Sequence, residues 1–152
     1  MLLWAALLTL MTAIFAFSHQ PGEASNEMTE AAVMPLAELL AAVQEGGEET
    51  VQLLYFVIGT LVRKLAHVLE YALLGLLIRL LLRAYGRDAG WLACLCGVLY
   101  AVTDEVHQAF VPGRLGTPVD VAIDALGVLL GVWAANRLRQ WRANAENQGG
   151  DE

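Results

Sequence analysis

Four stretches of the chain carry reactive or ionisable side chains, and in three of them the spacing puts the set on one helix face. Arg63, His67, Glu70 and Tyr71 lie at i, i+4, i+7 and i+8, positions that stack on one side of an α-helix. Tyr100, Asp104, His107 and Gln108 repeat the pattern. Asp120, Asp124, Gly127 and Gly131 form a third stripe, and Ser18-His19-Gln20 closes the first apolar block. Lys64 and Arg114 add cationic groups beside them. A histidine next to a carboxylate suits proton transfer or nucleophilic attack, because the carboxylate fixes the tautomer and raises the basicity of the ring. Arginine supplies a planar fork that grips phosphate in two places.

These residues sit in an apolar chain. Of 152 residues, 57% are hydrophobic and 16% charged, against about 25% charged in a soluble domain. The apolar residues fall in four blocks, at 2–17, about 53–82, 91–110 and about 119–138. A transmembrane helix takes about 20 residues, with about 17 as the floor. The sequence therefore predicts an all-α integral membrane bundle of four transmembrane helices. One domain is expected over 1–142, with a long loop at 18–52 and a polar tail at 143–152 whose composition predicts disorder. The first block has no Lys or Arg ahead of it and no Ala-x-Ala site after it, which favours a retained anchor over a cleaved leader.

The charges set an orientation. Arg79, Arg83 and Arg87 lie between the second and third blocks, and Arg137, Arg139 and Arg142 follow the fourth. Basic residues mark cytoplasmic loops, so both termini are expected to be cytoplasmic, with loops 18–52 and 111–118 outside and Arg63-Lys64 as the local exception. That map brings all four polar stretches to the non-cytoplasmic side. In loop 18–52, Val33, Leu36, Leu40 and Val43 recur at helical spacing among glutamates, which predicts an amphipathic helix lying on the membrane or capping the bundle, interrupted or begun at Pro35. The net charge of −7, without a basic stripe, argues against nucleic acid as a partner. Cys94 and Cys96 point to different sides of a helix and are expected to stay unpaired. Gly127 and Gly131 mark a close-packing face, within the chain or in a homo-oligomer.

The combination Phe17-Ser18-His19-Gln20, Arg63-Lys64-x-x-His67-x-x-Glu70-Tyr71, Tyr100-Ala101-x-x-Asp104-Glu105-x-His107-Gln108-x-Phe110-Val111-Pro112-Gly113-Arg114 and Asp120-x-x-x-Asp124-x-x-Gly127 resembles the VanZ-like family. The resemblance covers nearly all of the chain except loop 18–52 and the tail. Two positions depart from it: His19 stands in place of a small hydroxyl residue, and Asp124 where Asn is frequent. The resemblance implies a bacterial cytoplasmic-membrane protein acting at the cell envelope, in a family whose founding member is associated with low-level teicoplanin resistance. It supplies no reaction and no cofactor.

Three readings fit the residue types. In the first, Arg63, Lys64 and Arg114 hold the anionic head group of an envelope lipid, cell-wall precursor or lipophilic glycopeptide. Ser18, Gln20, Tyr71, Gln108, Asp120 and Asp124 complete the pocket, and His67 or His107, oriented by Glu70 or Asp104, moves a proton or attacks. In the second, His67, Glu70, Asp104 and His107 form a metal shell of a membrane hydrolase, a reading that Arg63 and Lys64 disfavour by repelling a cation. In the third, the cations neutralise Glu70, Asp104, Glu105, Asp120 and Asp124 and fix helix register. Intramembrane ionisable groups cost several kcal/mol and are functional by default, so the first reading is preferred. The nearby Glu105 is expected to reach outer water, and Trp91, Trp133 and Trp141 to anchor at the interface.

Overall fold

The computed structural model describes residues 1–149. Its five helices are α1 (Leu2–Ser18), α2 (Gly22–Val43), α3 (Glu48–Ala84), α4 (Gly90–Gln108) and α5 (Pro118–Gly149), with no strand among the described residues. Each apolar block of the sequence lies within one of α1, α3, α4 and α5, give or take two residues, and the outer loop supplies α2. The polar tail differs from expectation: α5 runs helical to Gly149, and residues 150–152 lie outside the described residues.

By length and composition α3 and α5 can each cross a membrane, and α1 with α2 would make a third span if that bent pair counts as one. The expected four spans are therefore not established. α1 has 17 residues, about 25 Å at 1.5 Å per residue, short of a hydrocarbon core about 30 Å thick. The last turns of α4 carry Asp104, Glu105, His107 and Gln108, which dilute its apolar character. α3, with 37 residues, is about 55 Å long and exceeds that thickness.

α3 and α5 form the centre, and small residues let them touch. A methyl on Gly131 would lie 2.7 Å from the Ala72 carbonyl carbon and 2.8 Å from the Leu76 nitrogen. One on Gly127 would lie 2.6 Å from the Val68 oxygen, and one on Gly75 would lie 3.0 Å from the Val128 Cα. Gly127 and Gly131 are thus buried against α3 of their own chain, which occupies the face also considered for a homo-oligomer. Around this seam Tyr71, Leu74 and Val128 are fully enclosed, with Ile14 of α1 and Ala93 and Ala101 of α4 beside them. Leu7, Ile14 and Ser18 share one face of α1 and face inward.

At Ser18 the chain turns through 100° into α2. α2 buries Thr29, Val33, Ala37 and Ala41, an i, i+4 row of small side chains, with Thr29 lying over Gly59 of α3. Leu36, Leu39 and Val43 stay exposed, so the helix keeps a second, unburied apolar stripe. Pro35 does not interrupt α2. It lies on the exposed side, where the Ala31 carbonyl it leaves unbonded can find another donor.

The opposite end of the bundle is closed by one acid. Asp88, in the α3–α4 loop, accepts hydrogen bonds from Arg79 and from Arg139, the latter at 2.7 Å, with Arg83 at 3.7 Å. The Arg79 and Arg139 hydrogen bonds hold its carboxyl down to about 2. Arg79 is 4% exposed and also donates to Asn136 Oδ1 at 3.0 Å, while Arg83 donates to the Ala135 carbonyl at 2.8 Å. Beside them Trp4 Nε1 donates to Tyr85 Oη at 2.8 Å.

Candidate functional site

At the other end the polar residues divide into two groups. The first is a buried knot. Asp104 Oδ2 accepts from Ser18 Oγ at 2.7 Å, Tyr71 Oη at 3.1 Å and Gln108 Nε2 at 3.2 Å, and Gln108 Nε2 also reaches Ser18 Oγ at 3.1 Å. All four residues are buried. Three helices are tied here through one carboxylate oxygen.

The second group lines a cavity of about 260 Å³ that includes Arg63, Lys64, His67, Gln108, Arg114, Asp120 and Asp124. α3 presents Arg63 and Lys64 in one turn and His67 in the next. α5 presents Asp120 and Asp124 one turn apart, and its start is fixed locally: the Asp120 N–H donates to Thr117 Oγ1 at 3.1 Å, and Thr117 Oγ1 donates to Asp120 Oδ2 at 2.7 Å, as at a helix N-cap. Across the α3–α5 seam Lys64 Nζ meets Asp120 Oδ1 at 3.0 Å, and His67 Nδ1 meets Asp124 Oδ1 at 3.1 Å. Asp124 is fully buried.

Arg114 comes from the turn before α5. Pro112 and Gly113 bend the chain there, with Gly113 at φ +74°, a conformation that glycine adopts without strain. The Gly22 N–H donates to the Pro112 carbonyl at 3.0 Å, so the turn docks on the α1–α2 corner. Arg114 then donates to the main-chain oxygens of Gln20 at 3.1 Å and Phe17 at 3.0 Å. Arg63 donates to Asn26 Oδ1 at 2.7 Å. Neither arginine has a carboxylate within 4.0 Å among the described residues. Burial, and after it the charge of Arg63, hold the Arg114 guanidinium below its usual value.

A second cavity of about 260 Å³ adjoins the first, sharing Ser25, Arg63, His67 and Arg114. Its other walls are mostly apolar, with Phe17, Met28, Ala32, Val62 and Ala66, together with Ser18, Gln20 and Glu70. A charged chamber and an apolar chamber thus meet at two arginines and a histidine.

The VanZ/LLP1 family model matches residues 3–139. The chain belongs to the VanZ/LLP1 family. No curated protein and no solved structure matches it.

In this VanZ/LLP1 chain the sequence-derived faces are brought together, but the expected pairings differ. His67 is held by Asp124 of α5 rather than by Glu70 or Asp104. His107 leaves the cavity: its Nε2 lies 3.2 Å from His19 Nδ1, stacked with Phe15, so the Asp104–His107 pair does not form. Consequently His67, Glu70, Asp104 and His107 make no metal shell, and no three or more His, Cys, Asp or Glu among the described residues are grouped to hold an ion. Tyr100 donates to the Met11 carbonyl at 2.7 Å, away from the cavity. Glu105 does not reach outward. It is 4% exposed, and its Oε1 accepts the Thr117 N–H at 2.7 Å.

Three contributors escaped the sequence reading. Thr117 had a signal, since Thr-Pro-x-Asp is a helix start with proline at the first helical position. Asp88 also had one, as a lone acid beside Arg79, Arg83 and Arg87. Asn26 had none, because its value comes only from where α2 folds back.

Proposed function

We propose that this protein binds the anionic head group of an envelope lipid in the cavity between α3, α5 and the 111–117 turn. The carrying observation is that Arg63 and Arg114 flank the cavity with no carboxylate partner among the described residues, whereas Lys64 beside them is neutralised by Asp120. A network built only to fix register would pair its cations, as intramembrane charges usually do. Two uncompensated guanidinium groups favour an anion, and phosphate fits their planar forks. The adjoining apolar chamber suits the first part of a hydrocarbon chain, so the two cavities match a lipid better than a soluble phosphate. A lipophilic glycopeptide or cell-wall precursor is a less economical occupant of about 260 Å³. The register-fixing reading is favoured for the Asp104 knot alone, whose donors are all internal.

In this proposal the cavity faces outward from the bacterial cytoplasmic membrane, and both termini are cytoplasmic. The arginines at the Asp88 end of the bundle support that orientation. The 100° turn into α2 supports it as well: a helix so bent from α1, with Leu36, Leu39 and Val43 exposed, suits the membrane interface. α1 reaches from the Trp4–Tyr85 contact at the end of α3 to the Ser18–Asp104 contact with α4 at the other end of the bundle, which supports its crossing beside α3 and α4, four spans in all with α5. A reporter fused after Gln148 should read as cytoplasmic, and an external reading would overturn the orientation.

The binding test is native mass spectrometry of the protein released from mild detergent, beside Arg63→Ala/Arg114→Ala. Wild type is expected to retain phosphate-bearing lipid. The double variant should bind about 100-fold more weakly, since a hydrogen bond to a charged group contributes about 1.5–3 kcal/mol and 1.4 kcal/mol is tenfold. Wild type that carries no anionic lipid, or a folded double variant that binds like wild type, would sink the reading.

A further inference from the structure

The cavity holds a histidine arranged for chemistry as well as two arginines arranged for binding. His67 Nδ1 faces the fully buried Asp124 at 3.1 Å, and with Asp124 as carboxylate Nδ1 carries the ring hydrogen. In the neutral ring that leaves the Nε2 lone pair free. Nε2 has no hydrogen-bond partner among the described residues, and His67 lines both the charged and the apolar chamber. The group therefore stands where head group meets chain, flanked by Arg63 and Arg114.

We infer that His67 is the general base of a lipid diphosphate hydrolysis, with Asp124 as its positioning residue; this rests on the binding reading above. His67 Nε2 takes a proton from a water molecule as that water's oxygen forms a bond to the terminal phosphorus. The bond from that phosphorus to the bridging oxygen breaks, and the bridging oxygen leaves with the electron pair. The products are a lipid monophosphate and orthophosphate, and the imidazolium returns its proton to solvent. Water is the only co-reactant.

The choice of a diphosphate follows from the acids present. Asp120 is engaged by Lys64 and Asp124 by His67, while Glu70 lies among the walls of the apolar chamber. No acid in the charged chamber is free to protonate an alkoxide. A lipid phosphate leaves as a stable anion and needs no proton. Arg63 and Arg114 are placed to take up the charge that builds on the phosphoryl oxygens and the leaving group.

The test uses the full chain in lipid nanodiscs with an isoprenyl diphosphate as probe and dioleoyl phosphatidic acid as the monoester comparison, reading orthophosphate release and lipid retention together. Wild type should release orthophosphate from the diphosphate in preference to the monoester. His67→Ala and His67→Gln should each fall about 100-fold to 10,000-fold in rate, the range of general-base catalysis. Added imidazole should restore part of the His67→Ala rate, a rescue that a merely structural role would not show. Asp124→Asn should lower kcat with KM nearly unchanged. Wild type that retains the isoprenyl diphosphate but releases no orthophosphate overturns the catalytic inference and leaves the binding reading standing. Wild type that retains no anionic lipid overturns both. Histidine variants that turn over at the wild-type rate remove His67 from the role.

Discussion

Asp104→Ala is expected to destabilise the protein by about 3–5 kcal/mol, because three buried donors lose their acceptor at about 1–3 kcal/mol each. Ser18, Tyr71 and Gln108 all donate to Asp104 Oδ2, and all three are buried. The loss is shared by α1, α3 and α4, so it should appear as global unfolding rather than fraying. Asp104→Asn keeps a carbonyl oxygen for the three donors and should cost less, about 1–2 kcal/mol, as one weakened buried set of hydrogen bonds. Thermal or denaturant unfolding in a fixed detergent measures both. An Asp104→Ala protein within 1 kcal/mol of wild type would mean that the knot does not hold the bundle together. The outcome also separates the two halves of the polar end, because Arg63→Ala/Arg114→Ala loses only hydrogen bonds at the rim, to Asn26, Gln20 and Phe17, and should cost less stability than Asp104→Ala.

Gly131→Ala should cost about 3 kcal/mol, at the upper end of what overpacking usually brings. The added methyl meets backbone atoms of α3, the Ala72 carbonyl and the Leu76 nitrogen, which cannot rotate aside as a side chain can. The helices must separate, and separation at Gly131 also loosens the Gly75 and Gly127 contacts on the same seam. It moves Asp124 away from His67 as well. Leu129→Ala, on the exposed side of the same helix, is the control and should change unfolding by less than about 0.5 kcal/mol. Equal unfolding of Gly131→Ala and wild type would show that the α3–α5 approach is looser than the glycines imply.

The helices were legible because apolar blocks interrupted by turn residues leave a lipid-soluble chain few alternatives. Their polar faces were legible too, since 3.6-residue periodicity puts Arg63 with His67 and Asp120 with Asp124 whatever the helices do next. Partner choice was not legible. Whether His67 meets Glu70, Asp104 or Asp124 depends on how far α3 and α5 rotate about their axes as they approach, and the glycine seam sets that rotation. The same holds for His107, which the rotation of α4 turns toward His19. The count of crossings was not legible in block hydropathy, which does not weigh the polar last turns of α4 or the short reach of α1.

By itself, then, the sequence determined an all-α apolar chain of the VanZ/LLP1 family, its helix positions, and the set of polar residues that gather at one end. Those are local properties, set by composition and by the pitch of the helix. Only the tertiary structure decided that the set splits into a closed Asp104 knot and an open cavity, that Asp124 is the partner of His67, and that Arg63 and Arg114 face it without an acid. Those outcomes come from interhelical distance and rotation, which depend on backbone contacts at Gly75, Gly127 and Gly131 whose partners on the facing helix the sequence does not specify.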